Sequence, residues 1–259
     1  MKLASWNVNS LKIRLPQLLE WLGARAPDVV CLQETKLEDD KFPILEIEAA
    51  GYWCVRYGQK TYNGVAILSR HPLADVATGI PALPDEQKRF IAATVGKGID
   101  ALRVACVYVP NGQAVGSTKY DYKLAWLAAC RNQLEEELRR TPRLAVLGDY
   151  NVAPADEDVH DPEAWRDKVL CSTPEREAFR NLLGLGLKDA FRMFTQEEKS
   201  FTWWDYRMNA FKRNLGLRID HVLLGPELAA RCRACAIDVD TRRAQRPSDH
   251  APVVVELEI

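Results

Sequence analysis

No stretch of the sequence is apolar over the length a bilayer requires. The opening residues, Met1-Lys-Leu-Ala-Ser-Trp-Asn7, lack the extended apolar region of a secretory leader. A Gly-rich dinucleotide fingerprint and a P-loop are both missing, which leaves a nucleotide cofactor without support. Repeats, low-complexity tracts and linker-like shifts of composition are also absent, so residues 1–259 read as one domain. The seven cysteines are odd in number and scattered, several inside apolar strand-like runs, which excludes a disulfide framework and suits buried, reduced thiols. Cys232-Arg-Ala-Cys235 has the spacing of a zinc or redox site, but no second pair accompanies it to complete a tetrahedron. These absences predict a cytoplasmic protein with no membrane contact.

What is present is a chain that is 47% hydrophobic, enough for a large core, with a formal net charge of only −1. The charge is uneven: Asp156 to Asp167 is acidic and Arg207 to His250 is rich in Lys and Arg. That pattern fits two solvated faces of opposite sign or a local surface for phosphate, and net charge does not separate the two.

Several apolar runs end in polar residues. Leu3-Ala-Ser-Trp-Asn7 leads to a helix from about Lys12, with Asn9 or Ser10 as its cap. Val29 to Gln33 ends at Glu34, Leu102 to Val109 carries Tyr108 and leads to Asn111, and Leu144 to Leu147 ends at Asp149 and Asn151. Residues two apart on an extended chain point the same way, so Asp149 and Asn151 form a carboxylate–amide pair. Alone, that pair is equally an Asx turn. Two later strands carry their polar residues at the opposite end: Asp220 opens one, and Asp249-His250 precedes the other. If all these residues meet, the strands of the first group run opposite to the last two. That demands mixed or antiparallel sheets, not the all-parallel sheet of a doubly wound fold. Helices are expected over residues 43–50, 119–140 and 174–183, outside two packed sheets.

The ordered segments WNVNSLKIR, LQETK, YNGVAILSR, VYVPNG, LGDYN, TWWDYR, GLRIDH and PSDHAPV span nearly the whole chain. Together they resemble the exonuclease III / apurinic-apyrimidinic endonuclease family of the DNase I-like phosphodiesterases. The resemblance implies an α/β four-layered sandwich, two mixed sheets flanked by helices, acting as a monomeric, bacterial-type, Mg²⁺-dependent DNA repair nuclease (Mn²⁺ as a substitute). It also implies hydrolysis 5′ to abasic sites in duplex DNA and action on blocked 3′ ends.

In that reading Glu34, with Asn7 and Asp249 directly or through water, holds the metal, Asp149 and Asn151 being further possible ligands. These are hard oxygen donors suited to Mg²⁺. Gln33, beside Glu34, faces the other way. Asp149 and Asn151 activate and orient the attacking water, His250 contacts the phosphate with Asp220 behind it, and Tyr108 and Asn111 donate hydrogen bonds to phosphate oxygens. Tyr62, Asn63, Lys60 and Lys212 contact the DNA backbone. Trp203, Arg207 and Leu217 line a pocket for a base-free sugar, one tryptophan of the Trp203–Trp204 pair belonging to the core. His71, His160 and His221 are structural. The long N-terminal extension of animal relatives is missing, and no redox role tied to it is expected. The alternatives are an enzyme that mainly processes 3′ ends with weak nicking at abasic sites, a cousin acting on phosphoinositides or RNA, and a DNA-binding module without catalysis.

Overall fold

The computed structural model describes residues 1–259. In chain order the elements are β1 (Lys2–Asn7), α1 (Leu11–Arg25), β2 (Val29–Gln33), α2 (Ile44–Ala49), β3 (Trp53–Tyr57), β4 (Val65–Ser69), β5 (Leu73–Thr78), β6 (Phe90–Val95), β7 (Leu102–Tyr108), α3 (Thr118–Arg140) and β8 (Leu144–Asp149). After these come α4 (Pro162–Trp165), α5 (Thr173–Leu183), β9 (Lys188–Asp189), β10 (Trp203–Trp204), β11 (Gly216–Leu217), β12 (Asp220–Leu224), α6 (Pro226–Ala230), β13 (Cys232–Ile237) and β14 (Val253–Leu257).

Two six-stranded sheets form, ordered β13-β14-β1-β2-β4-β3 and β5-β6-β7-β8-β12-β9. Each is mixed: β1 runs parallel to β2 and antiparallel to β14, and β7 runs parallel to β8, which is antiparallel to β12. This is the polarity that the strand ends demanded. Strand alternation then sorts the side chains into layers. Leu3, Cys31, Val104, Leu147 and Val222 point between the sheets into the largest apolar cluster. Ala4, Trp6 and Val30 face the other way, onto Leu18 and Trp21 of α1, and Val107 and Val146 face Trp126 of α3 and Phe179 of α5. Helix, sheet, sheet and helix make the expected four layers.

Gly148 belongs in β8 for a steric reason. A Cβ there would lie 2.0 Å from the Val107 carbonyl oxygen on the neighbouring strand.

Three of the longer strands escape the sequence pattern. β5 is an exposed edge strand with an irregular register against β6, β13 is an irregular edge pair, and both are rich in weak strand formers such as Ala. β6 is buried on both faces and lacks the alternation that marks a half-buried strand. The cap expected for α1 also differs. Ser10 sits at the cap position with φ 93° and makes no side-chain cap bond, and the Asn9 side chain is committed elsewhere. All seven cysteines are unpaired, Cys232 and Cys235 among them.

Candidate active site

The site lies where the apolar columns between the sheets turn polar. Along β8 the inward face reads Ala145, Leu147, Asp149, and along β7 it reads Val104, Cys106, Tyr108. β1 ends its inward face at Asn7, and β12 begins its own at Asp220, directly opposite Asp149. Gln33 also faces inward and spends its amide on Ser5 Oγ and the Cys31 carbonyl, which fits a structural role. Glu34 leaves the strand with φ 53° and so turns toward the site.

Three groups converge closely: one ligand atom each from Glu34, Asp149 and His250 lies within 4.8 Å of the others. Asn7 Nδ2 donates to Glu34 Oε1 and to Asp149 Oδ2, both at 2.9 Å, and Asn7 Oδ1 accepts from the Asn9 backbone N–H. In this arrangement Asn7 spaces the two carboxylates. Asp249 is held through Asn9 Nδ2 at 2.8 Å on one oxygen and Trp203 Nε1 at 3.0 Å on the other. The Asp149 carboxylate accepts from the Asn151 backbone N–H, and Asn111 Nδ2 donates to Asn151 Oδ1 at 3.2 Å.

His250 Nδ1 stands 2.9 Å from Asp220 Oδ2, and its Nε2 stands 3.8 Å from Asp149 Oδ2. Burial would lower the imidazole, but the flanking carboxylates of Asp220 and Asp149 outweigh it and raise the pKa to about 10. The residue is therefore an imidazolium at neutral pH. Asp149 shifts up, first from burial and then from Asp220, against the pull of His250. For Glu34, burial is overcome by the Lys36 ammonium and the Asn7 amide, and the carboxyl falls below its ordinary value. Tyr108 stays a phenol: burial, then Glu34 and Asp149, push it well up.

The hard oxygen donors Glu34 and Asp149, both facing one point and both already supporting positive charge, fit a divalent cation such as Mg²⁺. Two contributors went unrecognised in the sequence. Lys36 Nζ bonds Glu34 Oε2 at 2.8 Å and Asn9 Oδ1 at 2.5 Å. Asn9 joins Lys36 to Asp249. Their only signal was proximity to Asn7 and Glu34, and positive φ at Asn9, Glu34 and Lys36 hides which way each side chain turns.

Around this centre the expected binding residues divide. Tyr62, Asn63 and Asn111 line one polar groove of about 770 Å³, together with Arg89, Gln87 and Lys119. Lys60 and Lys212 are exposed and do not line that groove, Lys60 sitting in the chain next to Gln59, which does. Arg207 is exposed and paired with Asp205. Trp203 is partly exposed beside Asp249, whereas Trp204 is buried, so the pair does split into surface and core. Leu217 is fully buried opposite Trp203 and backs the surface instead of lining it, because its side chain packs among Ala153, Val159, Leu170 and Ile219. The basic segment is likewise less basic than it read. Arg218 is buried against Asp158 of the acidic segment at 2.6 Å, and Arg242 is buried too. His221 bonds Arg218 and the Val152 carbonyl, and with Phe179 beside it has a structural place.

A family model described as the endonuclease/exonuclease/phosphatase family matches residues 4–250. The chain belongs to that family. Its fold and its catalytic class follow: it is a DNA-hydrolysing nuclease of the exodeoxyribonuclease III type. Exodeoxyribonuclease III of Haemophilus influenzae is 36% identical, covering 99% of each chain. A Neisseria 3′ phosphatase, NExo, solved with a product DNA hairpin, is 49% identical with a TM-score of 0.97 over 100% of both chains. An AP endonuclease of Archaeoglobus fulgidus is 38% identical with a TM-score of 0.94, again over 100% of both chains.

Proposed function

We propose that residues 1–259 form one catalytic domain, a cytoplasmic monomer, that repairs duplex DNA by hydrolysing phosphodiesters 5′ to abasic sites and by removing groups from 3′ ends. The observation that carries this reading is the convergence of Glu34, Asp149 and His250, backed by Asp220, at one edge of the sandwich. A phosphodiester repels nucleophiles through its own negative charge, so an enzyme must supply positive charge, a positioned water and a proton acceptor. His250, held as an imidazolium between two carboxylates, supplies a fixed cation and a donor toward a phosphoryl oxygen. Tyr108, protonated across the working pH range, and Asn111 add neutral donors. Asn151 orients the water. Asp149, at the end of β8 beside Asn151, takes the water's proton.

Glu34 and Asp149, whose oxygens converge, would hold Mg²⁺, with Asp249, which stands outside that convergence, acting through water. When bound, the cation supplies Lewis acidity toward the phosphate. Asn7 sets the carboxylate spacing. Tyr62, Asn63 and Asn111 place the DNA backbone in the polar groove, Lys60 and Lys212 add charge outside its lining, and Trp203 and Arg207 flank the position of a base-free sugar.

A second reading, chiefly 3′-end processing, is favoured by the 49% identity to the Neisseria 3′ phosphatase against 38% to the AP endonuclease. Three duplexes separate the readings: one with an abasic analogue, one fully matched, one with a 3′-phosphate, each with Mg²⁺ and with EDTA. Nicking at the abasic analogue and release of phosphate, both lost in EDTA, support the proposal. Phosphate release with little nicking promotes the second reading, and no metal-dependent cleavage of any duplex overturns both.

A further inference from the structure

Lys123 on α3 is fully buried, yet none of the chemistry above uses it. Its three N–H groups are all committed: to the Asn151 carbonyl at 2.6 Å, to the Asn111 carbonyl at 3.1 Å, and to the Glu175 carboxylate. Glu175 in turn accepts from the backbone N–H groups of Leu170 and Ser172 at the start of α5. The ammonium therefore has no donor left for a ligand.

What it grips is the loop backbone on both sides of the site. Three successive carbonyls, of Asn151, Val152 and Ala153, accept from Lys123, His221 and Arg176 respectively. Of these three side chains only Lys123 also reaches the loop that carries Asn111. Asn151 has φ 49°, left-handed backbone that asparagine adopts more readily than other non-glycine residues. The other loop passes so close to the lysine stem that a Cβ at Gly112 would lie 3.0 Å from Lys123 Cδ. A buried charge is costly unless paired and fully bonded, and leucine or methionine would fill this volume more cheaply.

We propose that Lys123 is a positioning residue: by binding both carbonyls it fixes the separation of the Asn111 and Asn151 side chains. The proposal rests on the functional reading above for its kinetic consequence, because a displacement of about 1 Å between such groups costs on the order of 100-fold in rate.

The test replaces Lys123→Met together with Glu175→Gln, so that no unpaired buried charge remains. On whichever duplex the wild type cleaves, kcat is expected to fall at least 30-fold with KM within threefold. In an Asn151→Ala background the same pair of changes should cost less than threefold, since the group it positions is gone. Equal losses in both backgrounds, or a raised KM with unchanged kcat, overturn the proposal. Backbone hydrogen exchange gives a readout independent of turnover: residues 111–113 and 151–153 should exchange faster together, and unchanged exchange in either loop overturns it. A wild type that cleaves no duplex refutes the functional reading alone, and the exchange result then decides this one. Should the double variant not fold, Lys123→Gln, too short to reach both carbonyls, is expected to lose at least tenfold in kcat, and a loss under threefold overturns the proposal.

Discussion

Asp220→Asn isolates the electrostatic part of the account, because asparagine keeps the shape of the side chain and an acceptor for His250 Nδ1 while removing the charge. The imidazole and carboxylate are 2.9 Å apart and both buried. Two unit charges about 4 Å apart at an effective dielectric of about 20 interact by about 4 kcal/mol, or roughly 3 pKa units. His250 should therefore fall from about 10 toward roughly 7, with Asp149 at 3.8 Å preventing a further drop. At pH 6 the variant would still carry a protonated imidazole and lose little. At pH 8 only about a tenth of the molecules would carry it, and kcat/KM should fall by about tenfold relative to the loss at pH 6. The sign for stability follows the same shift. A pKa raised above the unfolded value of 6.5 contributes stability that is complete below 6.5 and disappears as pH rises through about 10. Urea unfolding of the wild type should weaken across that window, and the slope should flatten in Asp220→Asn. The assay is the pH profile of kcat/KM from 5.5 to 9.5, paired with imidazole titration by NMR. An alkaline limb that stays in place, with one uniform loss at every pH, would refute the reasoning.

Asn7→Ala removes the amide between two carboxylates 2.9 Å away on either side; Mn²⁺ affinity by calorimetry should weaken at least tenfold, and unchanged affinity contradicts the spacing role. Gly148→Ala forces a Cβ against the Val107 carbonyl and should destabilise by about 3 kcal/mol, read as a lower urea midpoint. A midpoint shift under a third of that would show that β7 and β8 can separate without strain. Trp203→Phe deletes one donor to Asp249 and should reduce kcat about tenfold with little change in unfolding, and no kinetic effect would detach Trp203 from the site.

The sheets were legible because polar strand ends obeyed a direction rule: Asn7, Glu34, Tyr108 and Asp149 lie at C-terminal ends, Asp220 and Asp249 at or before N-terminal ends. That rule needs only strand polarity, and the mixed pairing of β8 with β7 and β12 satisfies it. The pairing of His250 with Asp220 was legible only through family resemblance, since 30 residues separate them. Asn9 and Lys36 carried no signal beyond their proximity to Asn7 and Glu34. A cap residue and a loop lysine look ordinary until left-handed backbone at both positions turns them inward. Lys123 was hidden differently: a lysine inside an amphipathic helix pattern reads as a solvated face, and only the Glu175 carboxylate and two loop carbonyls make its burial tolerable. Leu217 reads as a surface wall in sequence, and the apolar cluster that buries it, with Ala153, Val159, Leu170 and Ile219, is assembled from other segments of the chain.

The most direct test of the whole account is single-turnover cleavage by Asp149→Asn with Mg²⁺, on the duplex the wild type cleaves best, beside equilibrium binding to the same duplex. The account predicts a loss of at least 10³-fold in the cleavage rate, because the proton acceptor is gone, with DNA affinity within about fivefold of the wild type. Cleavage near the wild-type rate would contradict it, and would move the proton acceptor away from the end of β8.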